Sequence, residues 1–100
     1  MPDAIFAVND MTAIGAMKEL KKNGLKIPGD VALVGFTESQ IAQLIEPPLT
    51  SVAQPTNEIG RTAALLLLDQ IANKGIFVPQ TIILNGRLNI RESSMKLSEG

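Results

Sequence analysis

The sequence predicts an α/β fold built around a parallel sheet. Two short apolar runs, residues 3–8 and 31–36, have the composition of strands that are buried on both faces. An amphipathic helical segment, residues 11–23, lies between them. Strand, helix and strand in this order are typical of a βαβ unit, whose strands run parallel and whose crossover is right-handed.

The first helix is indicated by one apolar face and by residues that punctuate both ends. Its apolar side chains recur at three-residue spacing: Met11, Ile14, Met17 and Leu20. We expect Asp10 to be the N-cap, because a short carboxylate accepts hydrogen bonds from the unpaired N–H groups of a first turn. Asn23-Gly24 predicts a left-handed stop at the other end, with Leu25 in contact beyond it.

The middle of the chain alternates turns with short elements. Residues 27–30, Ile-Pro-Gly-Asp, form a predicted turn, because proline presets one turn dihedral and glycine tolerates a positive one. A short helical stretch over 41–45 ends before Pro47-Pro48, since a proline pair cannot continue a helix. The alternating, β-branched run over 49–54 predicts a third strand.

The last part of the chain is a long helix followed by extended segments. The helix is predicted over 56–73, and leucines at 65–68 make it apolar on more than one side. Segments 81–84 and 86–90 are β-prone, and the tail from Met95 is expected to fray. These pieces do not enclose a complete sheet, so the sequence predicts an incomplete fragment of a larger domain.

Composition excludes several classes of function. The chain has no Cys and no His, which removes disulfides, thiol nucleophiles, imidazole catalysis and Cys/His zinc sites. A net charge of −1 offers no basic excess for nucleic acid. Its longest apolar run, 63–68, is far shorter than the roughly 20 residues that cross a bilayer, and no signal segment is visible. We therefore expect a soluble, cytoplasmic chain that is not an enzyme and has no cofactor or metal.

Polar residues follow the predicted strands at the edge where parallel sheets bind ligands. Asn9 and Asp10 follow the first strand, residues 37–39 follow the second, and Gln54 ends the third. Carboxylate and amide groups together suit a neutral ligand that is rich in hydroxyls. A purely structural role is the alternative for each: Asp10 as a helix cap, Asn9 as a turn residue and Gln54 as a partner of nearby backbone.

Several linked stretches resemble one family. In chain order they are residues 2–17, 24–36, 48–52, 54–55, Gly60 and 90–94. Together they resemble the LacI/GalR family of bacterial transcriptional regulators over nearly the whole chain. Several motifs in family order make this resemblance more specific than any single motif.

The resemblance implies a particular organisation. The chain would be roughly the last third of a repressor, without its helix-turn-helix. The effector-binding core would have the periplasmic-binding-protein-like fold, in which two α/β (Rossmann-like) lobes enclose a ligand cleft. Residues 1–54 would belong to the C-terminal lobe, residues 55–76 would form a helix of the N-terminal lobe, and residues 77–100 would return across the hinge.

The resemblance also implies ligand contacts. The family's effector-contacting aspartate falls on Asp10, beside Asn9, and its cleft glutamine falls on Gln54, two residues before Thr56. Thr37 departs from the family, because relatives commonly carry aspartate at that position.

The first helix contributes to the family's core dimer, so Ile14 and Lys18 are interface candidates in a homodimer. Their alternatives are burial against the sheet for Ile14 and a solvated surface position for Lys18.

The resulting hypothesis is a regulator fragment that senses a sugar or sugar derivative. DNA would be bound only through the absent N-terminal domain, and no membrane partner is expected. A fragment of a periplasmic sugar-binding transport protein is the main alternative, although the closing Ile90-Arg91-Glu92-Ser93-Ser94 favours the regulator. An enzyme on a Rossmann-like sheet is a more distant third.

Overall fold

The computed structural model describes residues 3–74, 76 and 78–96. The elements are strand β1 (Ala4–Phe6), helix α1 (Asp10–Lys22), strands β2 (Ala32–Phe36) and β3 (Thr50–Ala53), helix α2 (Thr56–Ala72) and strand β4 (Arg87–Asn89), with short 3-10 helices at Gln40–Gln43 and Glu92–Ser94. The chain divides into two compact units. The first runs to Ala53 and resumes at Arg87, and the second runs from Gln54 to Gly86.

A four-stranded sheet in the order β1-β2-β3-β4 forms the first unit. β1, β2 and β3 run parallel, with Ile5 opposite Leu33 and Gly35 opposite Ser51. β4 is antiparallel to β3. The predicted α/β class with a parallel sheet is confirmed.

Burial differs between the two strands that the sequence predicts to be equally buried. β2 is central, and Leu33 is fully buried within it. β1 lies at the sheet edge, where Phe6 is 65% exposed and Val8, just beyond the strand, is 69% exposed. The expectation of burial on both faces is therefore wrong for β1, because among the described residues it has a neighbouring strand on one side only.

The N-cap of α1 is Asn9, one residue before the predicted cap. Its backbone is extended, and its Oδ1 accepts a hydrogen bond of 2.8 Å from the backbone N–H of Thr12. Asp10 is the first residue of the helix. The prediction of Asp10 as N-cap is wrong, because its carboxylate is engaged elsewhere in the fold.

The other end of α1 closes as the sequence predicts. Gly24 adopts a left-handed backbone with φ of 78°. The backbone N–H of Leu25 donates to the carbonyl of Leu20 at 3.0 Å, and that of Gly24 donates to Lys21 at 3.0 Å. This pair of bonds is the Schellman motif, which satisfies carbonyls that the last turn leaves unpaired.

Small side chains dominate the core of the first unit. Its buried members are Ala7, Ala13, Met17, Leu33, Ala42 and Leu49. α1 packs on the sheet through Ala13 and Met17, whereas Met11 is 68% exposed. The apolar face of α1 thus covers the sheet only in part.

The second unit consists of α2 and the segment that follows it. No described residue of α2 is buried, and its leucines are largely exposed. A depression in this unit is lined by Ile59, Ala63 and Leu66 of α2, together with Ile82 and Leu84.

Of the two predicted C-terminal strands, only the second forms. Residues 81–84 form no strand, since among the described residues they have no ladder partner for their backbone groups. The segment predicted over 86–90 is confirmed as β4. The expected fraying beyond Met95 falls largely on residues 97–100, which lie outside the described residues. Over the described ranges, no helix is long and apolar enough to cross a bilayer.

Candidate functional site

The carboxyl ends of β1 and β2 bring two predicted polar segments together. Asn9 and Asp10 follow β1, and Thr37, Glu38 and Ser39 follow β2. The backbone N–H of Ser39 donates to Oδ2 of Asp10 at 2.8 Å, which fixes the two segments side by side. Asn9, Asp10 and residues 37–39 form the edge cluster.

Asp10 is the buried centre of the edge cluster. The residue is 2% exposed. Its Oδ1 accepts a 2.7 Å hydrogen bond from Oγ of Ser51, while Oδ2 accepts from the N–H and, at 3.4 Å, the hydroxyl of Ser39. A carboxylate in the first turn is also favoured by the helix dipole. Asp10 therefore ties α1, the loop after β2 and strand β3 together.

Gly35 makes room for this carboxylate. It lies opposite Ser51 in the β2–β3 ladder. A β-carbon at position 35 would overlap Oδ1 of Asp10 and lie 3.1 Å from Cδ2 of Leu49. Gly35 and Ser51 were not identified as site residues from the sequence, although a glycine inside a central strand is itself a signal of close approach.

Asn9 presents the accessible polar group of the edge cluster. The residue is exposed, and its Oδ1 caps α1. Within the described part of the chain, its Nδ2 has no hydrogen-bond partner. Its two amide hydrogens are therefore available to a ligand without loss of the cap.

Thr37 has a strained backbone at the same edge. Its φ is 60°, in the left-handed region that a β-branched residue rarely occupies, and the residue is exposed. Such a conformation costs about 1–2 kcal/mol and persists only where neighbours impose it. Here the neighbours are Glu38, whose N–H donates to Val52 at 3.0 Å, and Ser39, which is bound to Asp10.

Glu38 forms a half-buried ion pair with Arg91. Nη1 of Arg91 lies 2.5 Å from Oε1 of Glu38 and also donates to the carbonyl of Leu49 at 2.8 Å. Nδ2 of Asn89 donates to Oε2 of Glu38 at 3.0 Å. The Arg91 hydrogen bond, supported by the Asn89 amide and the Arg91 charge, lowers the pKa of Glu38 against the opposing effect of burial.

Residues 89–94, which we call the closing segment, carry Arg91 and are anchored through serine and threonine hydroxyls. Ser93 is fully buried; its Oγ donates to the carbonyl of Leu33 at 2.6 Å and accepts from the N–H of Thr50 at 2.8 Å. Oγ1 of Thr50 exchanges hydrogen bonds with the backbone of Arg91, accepting at 2.7 Å and donating at 2.9 Å. Because the single hydroxyl hydrogen of Thr50 is thus used, Oγ of Ser94 donates in its 2.6 Å contact with Thr50.

The remaining predicted residues belong to the second unit or to helix α1. Gln54 and Thr56 belong to the second unit, where Gln54 is half-buried and Thr56 is the exposed first residue of α2. Ile14 and Lys18 lie on α1, Ile14 half-buried and Lys18 exposed. The first unit therefore brings Asn9 and Asp10 together with residues 37–39.

One family model and several curated transcriptional regulators match this chain. The family model described as "Periplasmic binding protein-like domain" matches residues 1–94. The transcriptional repressor CytR of Escherichia coli K12 is 45% identical over 75 residues, which are 75% of this chain and 22% of CytR. The regulator CelR of Thermobifida fusca is 42% identical over 91 residues, covering 91% of this chain and 26% of CelR. The chain thus spans about a quarter of the length of these curated relatives.

Solved structures of transcriptional regulators also superpose on this chain. A CelR–cellobiose complex superposes with a TM-score of 0.85 at 41% identity, covering 92% of this chain and 28% of that one. A LacI family regulator from Enterococcus faecium with bound ribose has a TM-score of 0.80 at 34% identity, covering 96% of this chain and 35% of that one. These relatives are regulators rather than transport proteins.

Proposed function

This chain belongs to the periplasmic binding protein-like domain family, in the form found in LacI/GalR-type regulators, and we propose from this premise that it forms part of a sugar-sensing effector domain. The ligand class is a sugar or sugar derivative. The protein that contains the chain would be a cytoplasmic transcriptional regulator and not an enzyme.

The observation that carries the proposal is the edge cluster. The amide of Asn9 offers two donors, and the exposed Thr37 adds a hydroxyl at the same sheet edge. These neutral groups match the alternating donors and acceptors of sugar hydroxyls, and no protonation change is required for binding. The bound cellobiose and ribose of the two solved relatives support the same ligand class.

Within this site we assign Asp10 a supporting role. Asp10 is buried and already accepts hydrogen bonds from Ser39 and Ser51, so a direct ligand contact would require the packing around its carboxylate to open. Asp10 instead holds Asn9 and Ser39 in place for the ligand. Gln54 and Thr56 are the contacts that we propose from the second unit.

The proposed mechanism is a population shift. We assign the first unit to the C-terminal lobe and the second unit to the N-terminal lobe, with a ligand that favours one arrangement of the lobes. In a homodimer that uses Ile14 and Lys18 of α1, that shift would change the spacing of DNA-binding modules outside this chain. The effector then alters operator affinity through its unequal affinity for the two arrangements.

A binding screen of the full-length gene product that contains this sequence tests the proposal. Titration calorimetry with cellobiose, ribose, sucrose and glucose is expected to give saturable binding of at least one sugar. A mobility-shift assay should show that the same sugar changes operator affinity. Sugar binding without any change in DNA binding would contradict the regulatory role, and absence of binding across a broad sugar panel would contradict the ligand class.

A further inference from the structure

We propose that Glu38 is a positioning residue of the ligand site, held by Asn89 and Arg91 of the closing segment. The inference rests on the proposed function and assigns a role to a carboxylate that does not itself contact the ligand. Glu38 lies between Thr37 and Ser39 in the loop after β2. A contact that restrains Glu38 therefore also restrains this loop, residues 37–39.

The loop is held from two sides by two different carboxylates. On one side, Asp10 accepts from both the N–H and the hydroxyl of Ser39. On the other side, the carboxylate of Glu38 accepts from Asn89 and Arg91. Thr37 is thereby left with a fixed, strained backbone and an exposed side chain.

The Glu38–Arg91 pair differs from an ordinary surface ion pair. Exposed pairs contribute little because solvent screens them and because two long side chains must be ordered. Here the side chains of Arg91 and Glu38 are only 18% and 14% exposed, and Nη1 of Arg91 is also held by the Leu49 carbonyl. The backbone of Arg91 is fixed by Thr50 as well. The Arg91 guanidinium is therefore held in place by contacts that do not involve Glu38.

The physical consequence is preorganisation. A loop that is already ordered loses little conformational entropy when a ligand binds, and this smaller cost raises the ligand affinity. Because Asp10 and the buried Ser93 hold the sheet together independently, loss of the Glu38 interaction should loosen the loop without unfolding the unit. The closing segment thus contributes to ligand affinity from residues that lie far from Asn9 in sequence.

Amide hydrogen exchange and calorimetry on the full-length protein test this role. In Glu38→Gln, exchange at the Glu38 and Ser39 amides should rise about tenfold, the factor expected for loss of one charge-assisted hydrogen bond. Exchange at Leu33 in the central strand, which reports global opening, should stay unchanged. Sugar affinity should fall about threefold to tenfold by the same reasoning. Glu46→Gln, an exposed glutamate in the same unit, is the matched control and should alter neither quantity.

A double-mutant cycle separates a specific pair from general damage. Arg91→Gln should raise exchange at Ser39 as Glu38→Gln does, and the double variant should add little beyond either change. Unchanged exchange at Ser39, or an equal rise at Leu33, would overturn the positioning role. Faster exchange with unaltered sugar affinity would also overturn it. A wild-type protein that binds no sugar would instead contradict the proposed function, while the exchange data would still show whether Glu38 orders the loop.

Discussion

The carboxylate of Asp10 occupies the space that a side chain at Gly35 would need. The two residues belong to different elements, helix α1 and strand β2, and Ser51 of β3 completes the contact with a 2.7 Å hydrogen bond to Oδ1. A buried charge is stable only when it is fully hydrogen-bonded, and here three donors satisfy it. Asp10 is thus the support on which the edge cluster is built.

Gly35→Ala is expected to lower the free energy of unfolding by about 2–3 kcal/mol, because the new methyl group must displace a buried carboxylate. Gly15→Ala is the matched control, since a β-carbon there meets nothing within 4 Å. On an exposed helix, that change should raise stability by about 0.5–1 kcal/mol. Urea unfolding measures the free energy of unfolding of both variants. Equal changes at the two glycines would contradict the expectation that Gly35 leaves space for the Asp10 carboxylate.

Asp10→Asn should be destabilising by about 2 kcal/mol despite its similar shape. An NH2 group that faces the N–H of Ser39 places two donors together, and one that faces Ser51 takes away the acceptor of that buried hydroxyl hydrogen. Asp3→Asn on the surface should be close to neutral. Thermal or urea unfolding of the two variants makes the comparison. A neutral Asp10→Asn would mean that the carboxylate network is not required.

Acid should weaken the Glu38–Arg91 interaction. Since the pKa of Glu38 is lowered in the folded state, the unfolded state binds its proton more tightly. The stabilisation is therefore fully present above about pH 4.3, the ordinary value for glutamate, and is lost as pH falls through the lowered pKa. The stability difference between wild type and Glu38→Gln should be about 1 kcal/mol at neutral pH and shrink with acid. A stability difference between wild type and Glu38→Gln that stays constant as the pH falls would contradict this prediction.

Thr37→Asn should increase the free energy of unfolding by about 1 kcal/mol, because asparagine tolerates the left-handed backbone better than a β-branched residue. Thr12→Asn, in the first turn of α1, is the control, since threonine and asparagine have similar helix propensity. Thermal unfolding of the Thr37→Asn and Thr12→Asn variants measures the two changes in stability. A loss of stability at position 37 would show that the threonine side chain contributes more than its backbone strain costs.

Local patterns were sufficient to predict strands β1 to β3 and helices α1 and α2. The apolar spacing of α1 and the left-handed stop at Gly24 depend on neighbouring residues, and both were confirmed. The cap was misassigned because Asn9 and Asp10 have similar capping chemistry and only the packing of Asp10 against Gly35 decides between them. The strand predicted over 81–84 was wrong because strand formation requires a partner, which composition cannot supply.

The long-range part of the site could not be predicted from spacing. Glu38 and Arg91 are 53 residues apart, and Ser93 reaches Leu33 across 60 residues. No local period connects such positions, so the sequence places Glu38 at the sheet edge as one of residues 37–39 but does not predict its partners Asn89 and Arg91. Its significance comes from the antiparallel pairing of β4 with β3, which brings the closing segment beside the loop after β2.

The most direct test of the ligand site is calorimetric titration of the full-length protein and its Asn9→Asp variant with the sugar identified by the screen. Aspartate keeps an oxygen to cap α1 but removes both amide donors, so the free energy of unfolding should be unchanged. Sugar affinity should fall at least about tenfold, as expected when hydrogen bonds to a ligand are lost. Equal affinity in the two proteins would contradict the assignment of the edge cluster as the sugar-binding site.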